Sequence, residues 1–428
     1  INGLLHFKQG RYPEAISALY VALPASQQFP LIPYYLASAN LLEGRIDEAA
    51  EFAGRFFAYD PRNINGRKLL AMIKLMQGEH SDVQELLQPV LDNNPQDLAA
   101  LNLMANAQLR DGKAEQGIEL LQRIAELQPD SPVAQIKLGA GLLMAGKDDA
   151  AKQHIEAALE LNPEYQQADI LRVMTLVKKG DMAAALEAGE AYRSRNPVSV
   201  TPHNLLGRVY LADRQPEKAT ASFEKALSLD PGNIAANHYL AQMAVAEDDL
   251  ATARKHYQAI LIKDPNSLTA LLELAELDEK EQNQQAMLER LERATSAHPA
   301  ALRPRLMLGR YYLDQGQPEQ VPLLFSDLDD MQKRSPEVLT ILALAQLSDN
   351  QDSNARYTLE QLIRSNPNVP SYHHLLAMTA SQSGDNERAR IELNRALALN
   401  KNYLPSLVTL ARMSLAEEES AEFEQYLE

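Results

Sequence analysis

Hydrophobic and polar positions follow helical spacing along this chain, in short segments that come in pairs. Residues 200–233 show one pair most completely. Leu206 and Tyr210 share a face of a first helix expected from about Pro202 to Ala212. Ala219, Phe223 and Ala226 share a face of a second, expected from about Pro216 to Leu229. Gly207 places the smallest side chain on the first face, and Pro231 follows the second helix. No strands are predicted, so the expected fold class is all-α.

The pair recurs. Prolines stand at 61, 95, 129, 163, 197, 231, 265 and 299, at a constant spacing of 34 residues. Gly10, Gly44, Gly78, Gly112, Gly146 and Gly180 keep the same spacing. Their frame returns at Gly316 and Gly384, with Arg214, Asp248, Gln282 and Asn350 in the places between. A third frame holds Gly3, Ala37, Ala71, Ala105, Gly139, Val173, Gly207, Ala241, Ala275, Gly309, Ala343, Ala377 and Ala411, and only Val173 exceeds alanine in size.

Each frame has a physical cause. A small residue in the first helix lets the second helix approach closely. Ala15, Ala49, Ala151, Ala185, Ala219, Ala253, Ala355 and Ala389 do the same from the second helix. Glycine after the first helix takes the left-handed conformation that stops it, and the four polar residues can also end a helix. Proline after the second helix prevents continuation. These residues build a scaffold and carry no chemistry.

A two-helix unit with this period and these residues resembles the tetratricopeptide (TPR) repeat. The resemblance implies a TPR α-solenoid, a right-handed superhelix of about twelve helix-turn-helix repeats spanning 1–428. Repeats are expected to begin near 1, 30, 64, 98, 132, 166, 200, 234, 268, 302, 336 and 370, with a partial one from 404. An irregular joint is expected at 318–340, because Lys333 stands in the proline frame and Pro336 comes three residues later. The expected remedy is a second helix lengthened by a turn around 327–332, followed by a shorter first helix. Pro322 should bend that second helix or delay its start.

Composition bounds the function. A length of 428 would suggest about three globular domains, but a solenoid grows by addition without such boundaries. With 58 acidic and 41 basic residues the formal net charge is −17. That balance, and the lack of any run of Lys or Arg, argue against nucleic acid and anionic lipid as partners. There is no cysteine, hence no disulfide and no thiolate chemistry. No apolar run reaches the length of a membrane span. Ile1 opens inside a helical pattern and the last residues stop partway through a second helix, so a longer parent chain is expected.

Catalytic motifs are missing: no P-loop, no dinucleotide-binding glycine pattern, no His-Glu-x-x-His and no nucleophile elbow. His373 and His374 are adjacent, yet neighbours on a helix point about 100° apart and do not readily share a metal. The acidic runs 247–249 and 417–419 read as solvated. The expectation is a protein that is not an enzyme and holds no cofactor or metal.

In TPR arrays the first helices line the concave face. On that face the resemblance places Tyr34, Tyr35, Asn102 and Asn106 in the N-terminal part. It places Asn204, Arg208, His238, Tyr239, Gln242, Glu273 and Glu276 in the centre, and Arg303, Arg310 and His374 beyond. Such a mixture suits a protein or peptide partner in the concave groove, or a carbohydrate. Asn204, Arg208, His238, Tyr239 and Gln242 form the leading cluster; a solvated groove with Tyr239 packed between helices is the alternative. The carboxylate clamp of chaperone-binding TPR domains does not fit. Counted from Lys68, its places hold Met72, Leu103, Val133 and Lys137; counted from Asn102, they hold Asn106, Lys137, Gln167 and Leu171.

A narrower resemblance rests on residues 167–181 (QADILRVMTLVKKGD), 204–211 (NLLGRVYL), 253–266 (ARKHYQAILIKDPN) and 270–276 (ALLELAE), with the opening Ile1-Asn-Gly-Leu-Leu and the Lys68-Leu-Leu-Ala segment. These are similar to the TPR-repeat proteins of the PEP-CTERM/exosortase system, PrsT-like lipoproteins. The resemblance implies a Gram-negative envelope protein, periplasmic or outer-membrane-associated, with exopolysaccharide-assembly components as partners. Its role would lie in exopolysaccharide production and export and in PEP-CTERM protein sorting. The lipid-anchor cysteine of that family does not occur in this sequence. Two functions follow: a non-catalytic envelope scaffold, or a cytoplasmic peptide-binding adaptor or TPR part of a larger enzyme such as a glycosyltransferase.

Overall fold

A computed structural model describes residues 1–416. They form 26 α-helices and two short 3-10 turns, with no strand among the described residues. The chain divides into two compact units, residues 1–229 and a second that begins at Asp230. In the first unit the first helices are Asn2–Lys8, Leu31–Leu42, Ile64–Gln77, Leu98–Arg110, Pro132–Met144, Gln166–Lys178 and Val200–Ala212. Each is followed by a second helix, from Tyr12–Ala22 to Pro216–Leu229, packed against it across a short turn. In the second unit the first helices are Ile234–Ala246, Leu268–Lys280, Leu302–Asp314, Pro336–Ser348, Pro370–Gln382 and Leu404–Ala416. The acidic run 417–419 lies outside the described residues.

The turn between the two helices of a pair is set by one backbone conformation. Every 34th residue from Gly10 to Gly384 has positive φ, without a gap: eight glycines, plus Arg214, Asp248, Gln282 and Asn350 at 55° to 60°. The next residue then bonds back into the helix, as when the N–H of Gln215 donates to the carbonyl of Tyr210 at 2.8 Å. This is the Schellman closure, and it satisfies a carbonyl that the helix end would leave unpaired.

The small-residue frame is buried throughout, and its glycines show why. A Cβ on Gly207 would lie 2.5 Å from Cε1 of Phe223, a ring with no solvent exposure. On Gly3 it would lie 2.7 Å from Leu19 Cγ, and on Gly139 3.1 Å from Ile155 Cγ1. Each contact reaches the second helix of the same pair.

A further register was not foreseen. In several repeats a polar side chain three residues past the start of the first helix is folded inward and clips the pair together, whereas Leu101, Leu271 and Leu339 hold the same place elsewhere. Arg67, Gln135, Asn237 and Arg305 each donate to the carbonyl of the proline six residues earlier, at 2.7, 3.3, 3.1 and 3.1 Å. The same side chains reach the residue nineteen places later in the second helix. Gln135 Oε1 accepts from His154 Nδ1 and Asn237 Oδ1 from His256 Nδ1, both at 2.8 Å. Arg67 donates to the carbonyl of Leu86 at 3.1 Å. His373 meets Glu392 at 2.7 Å in the same place. Buried donors and acceptors must be paired, and here the pairing also fixes the preceding loop.

The joint departs from expectation. The second helix after Leu302–Asp314 is broken rather than lengthened: a 3-10 turn at Pro318–Gln320, a helix at Val321–Leu324 and another at Asp330–Lys333. Nor is the next first helix shortened, since Pro336–Ser348 has the usual 13 residues. Pro336 is not a displaced terminator. It stands at the helix start, where a missing N–H costs nothing, with Ser335 capping the backbone N–H of Val338. The break is held by Arg305, whose guanidinium forks onto both oxygens of Asp327 at 2.7 and 2.9 Å and keeps that carboxyl below the usual range. With the second helix displaced, Gly309 faces the following first helix, its Cβ position 2.8 Å from Ile341 Cγ2.

Two outcomes test this packing. Gly207→Leu overpacks the Phe223 contact and lowers thermal stability by about 1–3 kcal/mol, measured by calorimetry; an unchanged melting temperature would refute the small-residue frame. Asp278 is fully buried between Arg290 Nε at 2.5 Å and Arg254 Nη1 at 2.8 Å, the latter an ion contact off the hydrogen-bond direction. Asp278→Ala leaves the partly buried Arg290 without its acid, while Arg254 keeps Glu281 at 2.9 Å, and costs about 3–5 kcal/mol in urea unfolding, whereas Asp149→Ala, at an exposed pair with Lys179, leaves the midpoint in place.

Candidate functional site

Exposed positions of a first helix recur at intervals of three and four, so they form stripes that successive repeats set side by side. In the second unit such stripes line a groove of about 1140 Å³. Four first helices contribute: Leu268–Lys280, Leu302–Asp314, Pro336–Ser348 and Pro370–Gln382. Met307, Tyr311, Ile341 and Tyr372 supply apolar surface, and Glu276, Arg303, Arg310 and Glu337 supply charge. Arg303 is held by Glu276. Arg310 is exposed and has no acidic partner among the described residues. Ile341, one of the lining residues, is also the side chain nearest the Cβ position of Gly309.

The sequence candidates divide by environment. Arg303 and Arg310 line the groove; Glu276 does so as well. His374 does not. Its Nδ1 lies 3.3 Å from Ser406 Oγ and its ring 5.9 Å from that of Tyr403. His373 turns away toward Glu392, so the adjacent imidazoles diverge. His238 is half-buried, its ring 5.9 Å from Tyr239 and 6.3 Å from Tyr257. Burial and the Glu273 carboxylate, which accepts from the Tyr257 hydroxyl at 3.3 Å, push that phenol well above its ordinary range. Tyr239 is half-buried and Gln242 exposed.

In the first unit Tyr34 and Tyr35 are half-buried in an aromatic cluster. Tyr34 packs edge-on against Tyr35 and Phe56 at 5.5 and 5.3 Å, and Tyr35 against Phe7 at 5.4 Å. Asn102 donates to the Leu98 carbonyl at 2.7 Å and accepts from Lys137 Nζ at 2.5 Å. Asn106 and Arg208 are exposed and Asn204 is half-buried. Sequence reasoning missed Tyr311 and Tyr372, whose signal was aromatic character on first helices next to the expected joint. No group of three or more potential metal ligands occurs among the described residues, and no helix there is long and apolar enough to cross a membrane.

Family models described as tetratricopeptide repeat match residues 74–140 and 210–276, 137–199, 370–403 and 337–368, together more than half of the chain. No curated protein matches the sequence. Among solved structures, a tetratricopeptide repeat protein from Parabacteroides merdae is 19% identical, covering 53% of this chain and 90% of its own, with a TM-score of 0.46. MamA from Desulfovibrio magneticus is 26% identical over 40% of this chain and 97% of its own, with a TM-score of 0.32. YrrB, described as a TPR protein with an unusual peptide-binding site, is 18% identical over 45% and 98%, with a TM-score of 0.33. These superpositions are partial, and the repeat assignment rests on the family models and on the register of the chain.

His374, outside the groove, gives the fold a pH signature. Burial pushes its imidazole below the ordinary value of 6.5. The unfolded chain then takes up that proton more readily, so the contribution is complete above the unfolded value and is lost as pH falls through the folded one. Stability therefore drops as pH falls below the ordinary imidazole value of 6.5, and by less in His374→Gln. A ring titration by NMR with its midpoint above 6.5 would contradict this.

Proposed function

The chain belongs to the tetratricopeptide-repeat family, and from that premise we propose that it is a non-catalytic interaction scaffold whose second unit holds a peptide segment of a partner protein. The observation that carries this is the groove along four first helices. At about 1140 Å³ it exceeds the common range of small-molecule pockets, roughly 300–1,000 Å³, and its length over several repeats suits an extended chain. Apolar side chains of the partner would seat among Met307, Tyr311, Ile341 and Tyr372. Arg310, with no acidic partner among the described residues, would take a carboxylate or carbonyl through charge-assisted bonds. Arg303 is less available because Glu276 already holds it.

The setting we propose is a bacterial envelope assembly for exopolysaccharide production and export and PEP-CTERM protein sorting, in the periplasm or at the outer membrane. What supports it is the likeness of residues 167–181, 204–211, 253–266 and 270–276 to PrsT-like proteins. A cytoplasmic adaptor would use the same groove. A lipobox-bearing signal peptide in the gene upstream of Ile1 would decide for the envelope.

Peptides selected by display on the intact chain test the groove. Arg310→Glu combined with Tyr311→Ala should weaken them at least about tenfold while the circular dichroism spectrum is unchanged. Peptides that bind both proteins equally would remove the groove from consideration.

A further inference from the structure

The first unit separates its charges by helix. Its seven first helices contain a single acidic residue, Asp169, which is buried and paired with Arg195. The second helices carry Asp or Glu in every repeat of that unit. A chain of net charge −17 thus places no exposed acid within the first helices of this unit.

The exposed face of these helices has a defined layout. On Ile64–Gln77, Lys68, Met72 and Met76 stand four residues apart and form one stripe. The equivalent stripe of Leu98–Arg110 is Asn102, Asn106 and Arg110, and that of Gln166–Lys178 ends in Met174 and Lys178. Met72, Met76, Met144 and Met174 are exposed to 41%, 55%, 66% and 43%, which sets them apart from core methionines such as Met104 at 4%. The stripes adjoin. Lys137 Nζ donates to Asn102 Oδ1 at 2.5 Å, and Lys178 Nζ to the Leu143 carbonyl at 3.4 Å, each bridging consecutive first helices. Lys68 and Lys178 also meet Asp97 and Asp148 at the edges, 2.9 and 2.7 Å away. Arg110, Lys137 and Arg208 have no acidic partner among the described residues.

We infer that this first-helix face docks an acidic amphipathic segment of a partner protein, with carboxylates on Arg110, Lys137 and Arg208 and apolar side chains on the methionines. Charge complementarity selects the acidic partner, because nothing exposed on these helices repels it. The methionines select an amphipathic protein segment over nucleic acid: unbranched thioethers adapt to varied apolar side chains but offer phosphate nothing. Adaptable packing with a basic rim predicts tolerance of sequence and intolerance of charge reversal. The face is separate from the second-unit groove, and neither reading depends on the other.

The test uses the intact chain and labelled synthetic helices of about 18 residues, or five turns. One carries Glu on its polar face and Leu on the other, a second has Lys for Glu, and a third has Ser for Leu. The Glu/Leu helix should bind at least about tenfold more tightly than the others and weaken as salt rises beyond about 0.1 M. Arg110→Glu with Arg208→Glu, and separately Met72→Ser with Met76→Ser, should each cost about tenfold or more without loss of helical content. Arg310→Glu should leave this affinity in place. Equal binding of the Lys or Ser helix, failure of all three to bind, or stronger binding of single-stranded RNA would overturn the inference. So would loss of binding in Arg310→Glu, which would put the helix in the groove.

Discussion

Helix pairs in this chain close only as far as the smallest residue of the first helix allows, and the rest of the architecture follows from that distance. Gly207 sits against the ring of Phe223 with no room for a methyl group, and Ala37, Ala71, Ala241 and Ala343 are just as completely buried. A gap this small permits one relative placement of the two helices. The left-handed residue that turns the chain and the proline that ends the second helix then have fixed positions, which keeps the spacing at 34 from Gly10 to Gly384. Where the inward polar clip is present, it adds to the constraint by tying the first helix both to the loop before it and to the helix after it.

The parts legible in the sequence are those where physics leaves a single residue type or two. Left-handed backbone, lost donor and contact without a Cβ select Gly, Pro and Ala, so their spacing could be counted. The clip could not be counted. Arg67, Gln135, Asn237, Arg305 and His373 share a place and a task but not one side-chain type, because several hydrogen-bonding groups can satisfy a proline carbonyl or a second-helix partner. Pro336 was misleading because proline ends one helix and begins another equally well, and only the cap at Ser335 separates the two roles. The charge pattern was hidden by summation, since acidic second helices outweigh the basic first helices in the total.

What remains for function is the set of exposed first-helix positions that packing leaves unconstrained. In the first unit they hold Met, Asn, Lys and Arg. In the second, Glu276, Arg310 and Glu337 stand with tyrosines and aliphatic side chains around a groove. Tyr34 and Tyr35 show the limit of reading such positions from register alone: they occupy exposed places, yet their rings are consumed by contacts with Phe7 and Phe56. Arg303 and Arg310 share one helix, and the difference between them is only whether an acid stands within reach.

The broken second helix at 318–333 has a consequence for cooperativity. A repeat array is coupled only between neighbours, so it unfolds first where a neighbour interface is thinnest. Two four-residue helices stand here in place of one of fourteen, and pieces that short have almost no stability of their own. Amide protons from Val321 to Lys333 therefore exchange through local opening, while those of Leu302–Asp314 and Pro336–Ser348 wait for a larger event. The fork between Arg305 and Asp327 acts as the latch on that opening, and the segment it holds contributes none of the lining residues of the groove.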